Sequence, residues 1–565
     1  MTDASRLLSI SSPRSTLSSR MAPMIAAAIA AAACSSQGGT PGAPVDSGVS
    51  GGAAGGASGA APHGGATQGS SAHGGSGNGG TGQPSGATGG VGGAGAGAAM
   101  GGFTVNRQVP DWDAELRLPS AQDSNSDPHV FETTLDARVS EIEVVPGKRT
   151  PFWSYSGVLP GPFIHVRRGD RAIIHFKNEL PEPTTIHWHG LRIPSEMDGT
   201  PGHSQPEIEP GQSFTYDFVV PDAGLFWYHP HVNSAKQVGN GLYAPFLVDE
   251  EEDKNVTAKL GDELTLVLSD ASISESGALE PADSGGDLGT LFGREGNTLL
   301  VNGKVQPTLK VRSGLLQRWR IVNTSRARYY QIALKEHRFR RIGGDGGRME
   351  APVDSDMVVV VPAERSDVLI VPVGEPGTRV PVRWVPYDRG FGTTFARPEQ
   401  DLFYIEFVGD PVEPPEALPS PQRSIEALDL QGATPVEMEL TQNSGTGEPL
   451  ELGINGIPAS RAVPLQAALG ETQIWTITNP TIDFAHPFHL HGYFFQVLDE
   501  DYRPVHPLEW KDTADVPVKG TLRIGVRFDD RPGMWMYHCH LLDHADAGMM
   551  GMVEVGSEMS GHDMH

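Results

Sequence analysis

The stretch "HCHLLDHADAGMM" sets Cys539 between His538 and His540, with His544, Met549 and Met550 close behind. Three other runs are equally dense in imidazole. They are "HWHG" with His187 and His189, "HPH" with His229 and His231, and "HPFHLHG" with His486, His489 and His491. Ten of the chain's 20 histidines lie in these four runs. A lone histidine is usually a satisfied core or surface residue, but four such clusters need another explanation. Imidazole binds copper, zinc, iron and nickel. One thiolate, two imidazoles and a weak axial thioether make the donor set of a blue-copper electron-transfer centre. A zinc site more often takes several cysteines, or keeps an open position with no thioether beside it. The mixture points to copper.

Side chains alternate faces along a strand. If "HCH" is extended, His538 and His540 point one way and Cys539 the other. The cysteine then joins two metal sites through a few covalent bonds, an arrangement suited to passing electrons between them.

The elements that must carry these residues read as strands. Short alternating runs bounded by Gly, Pro, Asn and Asp dominate, which predicts an all-β chain. One pattern recurs: "GDRAIIHFKN" from Gly169, "GLLQRWRIVN" from Gly314 and "GETQIWTITN" from Gly470. Each has Gly and Asn nine residues apart and large apolar residues two apart: Ile174 and Phe176, Trp319 and Ile321, Trp475 and Ile477. The spacing of 145 and 156 residues between copies is that of domains, not of a solenoid. Three β-sandwich domains are expected at 103–250, 251–410 and 424–556. The acidic "DEEEDK" marks the first junction and a Pro-rich linker, 411–423, the second. The histidine runs fall in the first and third domains.

The 565 residues carry a formal charge of −27, which disfavours nucleic acid or an anionic membrane surface as partner. No run of about 20 apolar residues suggests a membrane span. Residues 1–34 read as an export signal: Arg6, Arg14 and Arg20 precede the short apolar "MAPMIAAAIAAAA", which ends at Cys34. "AAAC" also reads as a lipoprotein box with Cys34 lipidated. Residues 35–102, almost entirely Gly, Ala, Ser and Thr, read as a flexible tether. A periplasmic or cell-envelope location follows. Cys34 and Cys539, the two cysteines of the chain, are not expected to pair, since one opens the tether and the other belongs to a metal site.

The four histidine runs resemble, in order, spacing and domain placement, the signatures of the multicopper oxidases, and most closely those of bacterial three-domain laccases and copper-efflux oxidases. The resemblance covers about 103–556 and implies three cupredoxin-like Greek-key β-sandwiches holding four copper ions. It assigns His486, Cys539, His544 and axial Met549 to a type 1 copper, with Met550 in a packing role. It assigns His187 and His489 to a type 2 copper. His189, His229 and His540 fall to one type 3 copper, and His231, His491 and His538 to the other. It further implies a monomer, with domain two as a spacer and a wall of the substrate cleft. Four one-electron oxidations of a small donor at the type 1 copper are then coupled, through Cys539, to reduction of O2 to water. By the same resemblance His544 is the solvent-edge ligand where electrons enter. Asp198, in "SEMDG", stands where relatives keep a carboxylate near the trinuclear cluster, able to orient water and supply protons; its bland alternative is an Asp-Gly turn. Asp512, in "EWKDT", resembles an acidic residue at the type 1 mouth that binds the donor.

Two features depart from those relatives. No Met-rich insertion is visible in domain three. Ala545 replaces the Glu that follows the last type 1 histidine, so a proton relay is expected to be missing and O2 reduction slowed. The tail "EMSGHDMH" adds Met and His with no assigned role. The donor is expected to be a phenol or aromatic amine. The alternatives are a metallo-oxidase of Cu(I), Fe(II) or Mn(II), and, further off, a non-catalytic scaffold or a copper store.

Overall fold

The computed structural model describes residues 116–249, 262–390, 397–443, 450–480 and 484–556. The export segment, Cys34, the tether, most of the first junction and the C-terminal tail lie outside them. Among the described residues, no helix is long and apolar enough to cross a membrane.

The repeated sequence unit is the same strand three times over. Arg171–Asn178, Gln317–Asn323 and Thr472–Thr478 each lie inside a sheet. Each runs parallel to an earlier strand of its domain (Val130–Val145, Asp262–Ala271 and Thr434–Asn443). Each is antiparallel to a later one (Ser213–Val219, Arg365–Ile370 and Thr521–Arg527). The paired apolar residues face inward: Ile174, Trp319, Ile321, Trp475 and Ile477 are fully buried and Phe176 nearly so. The Gly that opens each unit takes φ of +90°, +84° and +86° at Gly169, Gly314 and Gly470, a left-handed turn that favours glycine.

The Asn that closes each unit is buried and does the same work each time. Asn178 Nδ2 donates to the Glu182 and Ile208 carbonyls, 2.9 and 2.7 Å. Asn323 Nδ2 donates to Arg328 and Val360, 2.7 and 2.9 Å. Asn479 Nδ2 donates to Phe484 and Pro517, 2.8 and 3.2 Å. A buried amide pinning two loop carbonyls fixes how the chain leaves the strand. In the first and third units that loop leads directly to His187 and His486.

Each sandwich is completed by a second sheet, and those of the first and third carry the histidines. In the first, His187–His189 is an edge strand paired with Gly224–His229, so that His187 faces His229. In the third, His486–Leu490 lies between Thr513–Val516 and Gly533–Cys539. An apolar cluster including Phe152, Trp227, Val267, Leu300, Val322 and Leu542 ties the three sandwiches together. Leu116, expected in the first domain, packs instead in the core of the second with Trp319. Its carbonyl accepts from Asn302 Nδ2 at 2.9 Å.

Candidate metal centre

Cross-strand register separates two sites at Cys539. Phe488 faces Cys539, whereas the next pair is His489 with His538. Side chains alternate, so the thiol goes into the core of the third sandwich while His538 joins His489 on the other side.

On the core side, His486 Nδ1 lies 3.3 Å from Cys539 Sγ, His544 Nδ1 lies 3.7 Å from the same sulfur, and the two nitrogens are 3.2 Å apart. All three residues are wholly buried. Atoms so spaced lie on a circle of radius about 2 Å, close to a metal–ligand bond length. Burial pushes the Cys539 thiol up and the His544 ring down to about 4, which leaves neutral imidazoles. A thiolate here needs a cation at its side. Met549 is fully buried in the same apolar cluster, its carbonyl accepting from the Cys539 N–H at 3.1 Å. Met550 is partly exposed on the following strand.

Eight rings meet on the far side of Cys539. His187, His189, His229, His231, His489 and His540 each present a buried ring nitrogen without a hydrogen-bond partner among the described residues. His491 and His538 turn their Nε2 atoms on each other at 3.3 Å. The opposite nitrogens are largely bound. His187 Nδ1 donates to the Asp198 carbonyl at 2.8 Å, His229 Nδ1 to Pro230 at 3.0 Å and His489 Nδ1 to the Asp512 carbonyl at 2.9 Å. His538 Nδ1 donates to the carbonyl of Cys539 itself at 3.0 Å. One nitrogen tied and one bare is how a metal-binding histidine is oriented. Buried polar atoms with no partner are otherwise rare, so this donor set fits bound metal. Burial lowers His189, His229, His489, His491, His538 and His540 and keeps them neutral, with His231 lowered to about 3. The ligand atoms of His231, His491 and His538 cluster within 4.8 Å of one another. The ring centres of His189, His229 and His540 stand 5.1 to 5.8 Å apart, and those of His187 and His489 6.0 Å.

Asp198 is buried between two of these rings. Its Oδ2 accepts from His491 Nδ1 at 2.9 Å and from Thr200 Oγ1 at 2.5 Å. Burial alone raises its pKa, but His491 and His187 outweigh that and hold it well below the usual range. The turn reading holds too: Gly199 has φ +82°, and a Cβ there would meet the Ile186 carbonyl at 1.9 Å.

Asp512 is not where the sequence led. It is buried beside His189, whose Nε2 lies 3.3 Å from its Oδ1, and it binds no donor at a surface mouth. The reason is register: Thr513 pairs with His489, so Asp512 arrives at the histidine cluster. There Arg365 grips it with both ends of the guanidinium, Nη1 to Oδ1 at 2.8 Å. Arg365 was missed from the sequence. Its signal was an arginine opening the strand "RSDVLI", which is buried along its whole length, where a charge demands a partner.

His544 departs from expectation as well. It is wholly buried, not a solvent edge. Its Nε2 donates to the Leu291 carbonyl at 2.9 Å, within the short helix Gly286–Phe292 of the second sandwich. Domain two is thus more than a spacer. Arg294, just past that helix, holds Asp543, which Arg326 holds too. Ala545 is buried in the helix Leu542–Asp546. The carboxylate of Asp546 accepts from the N–H groups of Ser234 and Ala235, 3.2 and 2.8 Å.

Comparison with known proteins agrees with this architecture. The family models described as multicopper oxidase match residues 137–253, 262–378 and 429–559. The multicopper oxidase MmcO of Mycobacterium tuberculosis is 30% identical over 437 residues, 70% of this chain and 81% of that protein. The laccase of Bacillus subtilis is 28% identical, covering 72% of this chain and 90% of its own. A solved structure described as a metallo-oxidase, the multicopper oxidase of Campylobacter jejuni, superposes with a TM-score of 0.66 at 29% identity, over 78% of this chain and 94% of that one. The three sandwiches are cupredoxin-like, and the chain belongs to the multicopper oxidase family of copper-dependent oxidoreductases that use O2.

Proposed function

We propose that this chain is a laccase-like oxidase that takes single electrons from phenols or aromatic amines and delivers them, four at a time, to O2. The carrying observation is the position of Cys539: its sulfur meets His486 and His544 at 3.3 and 3.7 Å, while its own carbonyl accepts from His538 at 3.0 Å. One residue thus belongs to both sites.

His486, Cys539 and His544 would hold the type 1 copper, with Met549 as a further ligand. His187 and His489 would hold the type 2 copper. The type 3 pair would take His189, His229 and His540 for one ion and His231, His491 and His538 for the other. When bound, the four copper ions supply one-electron acceptance at the thiolate and four-electron reduction at the cluster. The protein's part is positioning. Carbonyls and carboxylates tie the outer nitrogens of the rings, Asp198 holds His491 and stands ready to pass protons, and Asp512 holds His189.

The family likeness to a metallo-oxidase supports metal ions as the competing donor class. Against Cu(I) among them, the described residues show no Met-rich cover at this site; the helix Gly286–Phe292 lies over His544 instead. On sequence grounds we further place the protein outside the cytoplasm, held to the envelope through a lipid on Cys34.

The test is steady-state oxidation of a phenol, an aromatic amine, Cu(I), Fe(II) and Mn(II), normalised to bound copper. Aromatic donors are expected to lead in kcat/KM. A preference of tenfold or more for one metal ion over all the aromatics overturns the laccase reading.

A further inference from the structure

The burial of His544 poses a question about entry: its ring carries no exposed surface, and Leu291, Phe484 and their neighbours close over it. The structure offers another surface. Between the second and third sandwiches lies a groove of about 430 Å³, walled by Val359, Val497, Leu522 and Tyr387, with Lys511 and Asp515 among its polar groups. That volume suits a single-ring aromatic molecule.

Behind the groove stands Tyr329. Its hydroxyl donates to Asp515 Oδ1 at 2.7 Å, and its ring stacks on Tyr387 with centroids 5.4 Å apart and planes 7° from parallel. Tyr329 is buried in the same apolar cluster as Cys539 and Met549. The Arg389 guanidinium lies 5.5 Å over the Tyr329 ring, and the Arg389 carbonyl accepts from the N–H of Ala485, next to His486, at 2.8 Å. The two tyrosines thus span from the groove to the buried core around Cys539.

We propose that the groove is the docking site of a phenolic donor and that Tyr329, with Asp515 as its proton acceptor, carries the donor's electron to the Cys539 centre. This rests on the oxidase reading above and deepens it. It also gives Asp515 the role that the sequence suggested for Asp512, three residues earlier.

The step balances. Tyr329 loses one electron to the oxidised Cys539 centre, and its hydroxyl proton moves to the Asp515 carboxylate. The phenol, docked against Tyr387, then gives one electron to Tyr329 across the stacked rings and its hydroxyl proton to the solvent of the groove, leaving a phenoxyl radical. Asp515 returns its proton to the Tyr329 oxygen, restoring the tyrosine. Burial pushes Asp515 up to about 7, against the Tyr329 hydrogen bond and with help from Glu364, a value suited to taking and returning a proton near neutrality.

Two measurements test this. The full chain, stripped of copper so that no oxidation occurs, is titrated with 2-methoxyphenol by calorimetry. One saturable site is expected. It should weaken about 10-fold in Asp515→Asn, which removes a charged hydrogen-bond acceptor. It should be lost in Val505→Trp, which fills the groove from a side chain that is 45% exposed. No binding, or binding indifferent to Val505→Trp, overturns the docking site. In copper-loaded protein without O2, bleaching of the Cys539 absorption by 2-methoxyphenol is then followed in single turnover. Tyr329→Phe, which keeps the ring and its packing, should slow it at least about 10-fold, the scale of a lost proton-transfer group, with the concentration for half-maximal rate unchanged. Tyr329→Trp should restore much of it. Equal rates in wild type and Tyr329→Phe overturn the relay. If the loaded protein never shows the Cys539 absorption, the oxidase reading fails, while the calorimetry still decides the docking site.

Discussion

Arg365 and Asp512 form a buried two-pronged ion pair, and through it the second sandwich reaches the histidine cluster shared by the first and third. Arg365 Nη1 lies 2.8 Å from Asp512 Oδ1, and the same oxygen lies 3.3 Å from His189 Nε2. Burial would raise the Asp512 carboxyl, but Arg365 outweighs it and keeps it well below its ordinary range. Removing one partner leaves the other's charge buried and unpaired. Arg365→Ala is therefore expected to cost about 3–5 kcal/mol of stability in urea denaturation of the copper-free protein. Arg365→Lys keeps the charge but loses the fork, so it should recover part of the stability and still bind less copper. A loss under about 1 kcal/mol in Arg365→Ala would mean that solvent already reaches Asp512.

The cover over His544 is fastened at Arg294. Its backbone N–H donates to Asp543 Oδ2 at 2.8 Å, and its guanidinium pairs with the same carboxylate. Arg326 still holds Asp543 when Arg294 is cut back, so Arg294→Ala should cost only about 1–3 kcal/mol. The loosened helix should let hexacyanoferrate(II), a bulky anionic donor, reduce the Cys539 centre faster. Unchanged reduction kinetics alongside the stability loss would show that the helix does not limit access to His544.

The repeated asparagines separate stability from metal binding. Asn323→Ala breaks three side-chain hydrogen bonds and Asn479→Ala two, and each should cost about 1–3 kcal/mol. Only Asn479 pins the loop into His486, through the Phe484 carbonyl at 2.8 Å. Asn479→Ala should therefore weaken the Cys539 absorption in copper-loaded protein, and Asn323→Ala should leave it intact. Equal loss in both variants would make the effect a general one of folding.

Much of this was legible in the sequence, because it was local. The Gly-to-Asn unit read as one strand in three copies, since alternation and turn residues act over a few positions. The alternation of His538 and Cys539 was likewise a strand property, whereas His540 lies just past the strand's end. What failed was long-range. Asp512 read as a surface carboxylate because nothing near it in the chain reveals that Thr513 pairs with His489, or that Arg365 waits 147 residues away. His544 read as an edge because its cover comes from the second sandwich, and a seven-residue glycine-rich helix, Gly286–Phe292, leaves almost no periodic signal. Leu116 crossed a domain boundary for the same reason: sequence order does not say which core a terminal segment joins.

Met549 and Met550 differ by one position on the chain and by face in the structure, one fully buried with Cys539 and the other partly exposed. A thioether near the copper favours the oxidised ion slightly. Met549→Leu should therefore raise the reduction potential of the Cys539 centre, and Met550→Leu should leave it unchanged. Redox titration of the absorption reads both, and the reverse pattern would exchange their roles.

The central claim is that Cys539 belongs to one copper site while its neighbours His538 and His540 belong to another. Metal analysis of purified, copper-loaded wild type and Cys539→Ser, with visible absorption recorded on the same samples, tests it most directly. The wild type should hold four copper ions per chain and show the intense thiolate-to-copper band. Cys539→Ser should fold, hold three, and be colourless. A variant that keeps the band, or one that folds yet loses every copper ion, would contradict the account.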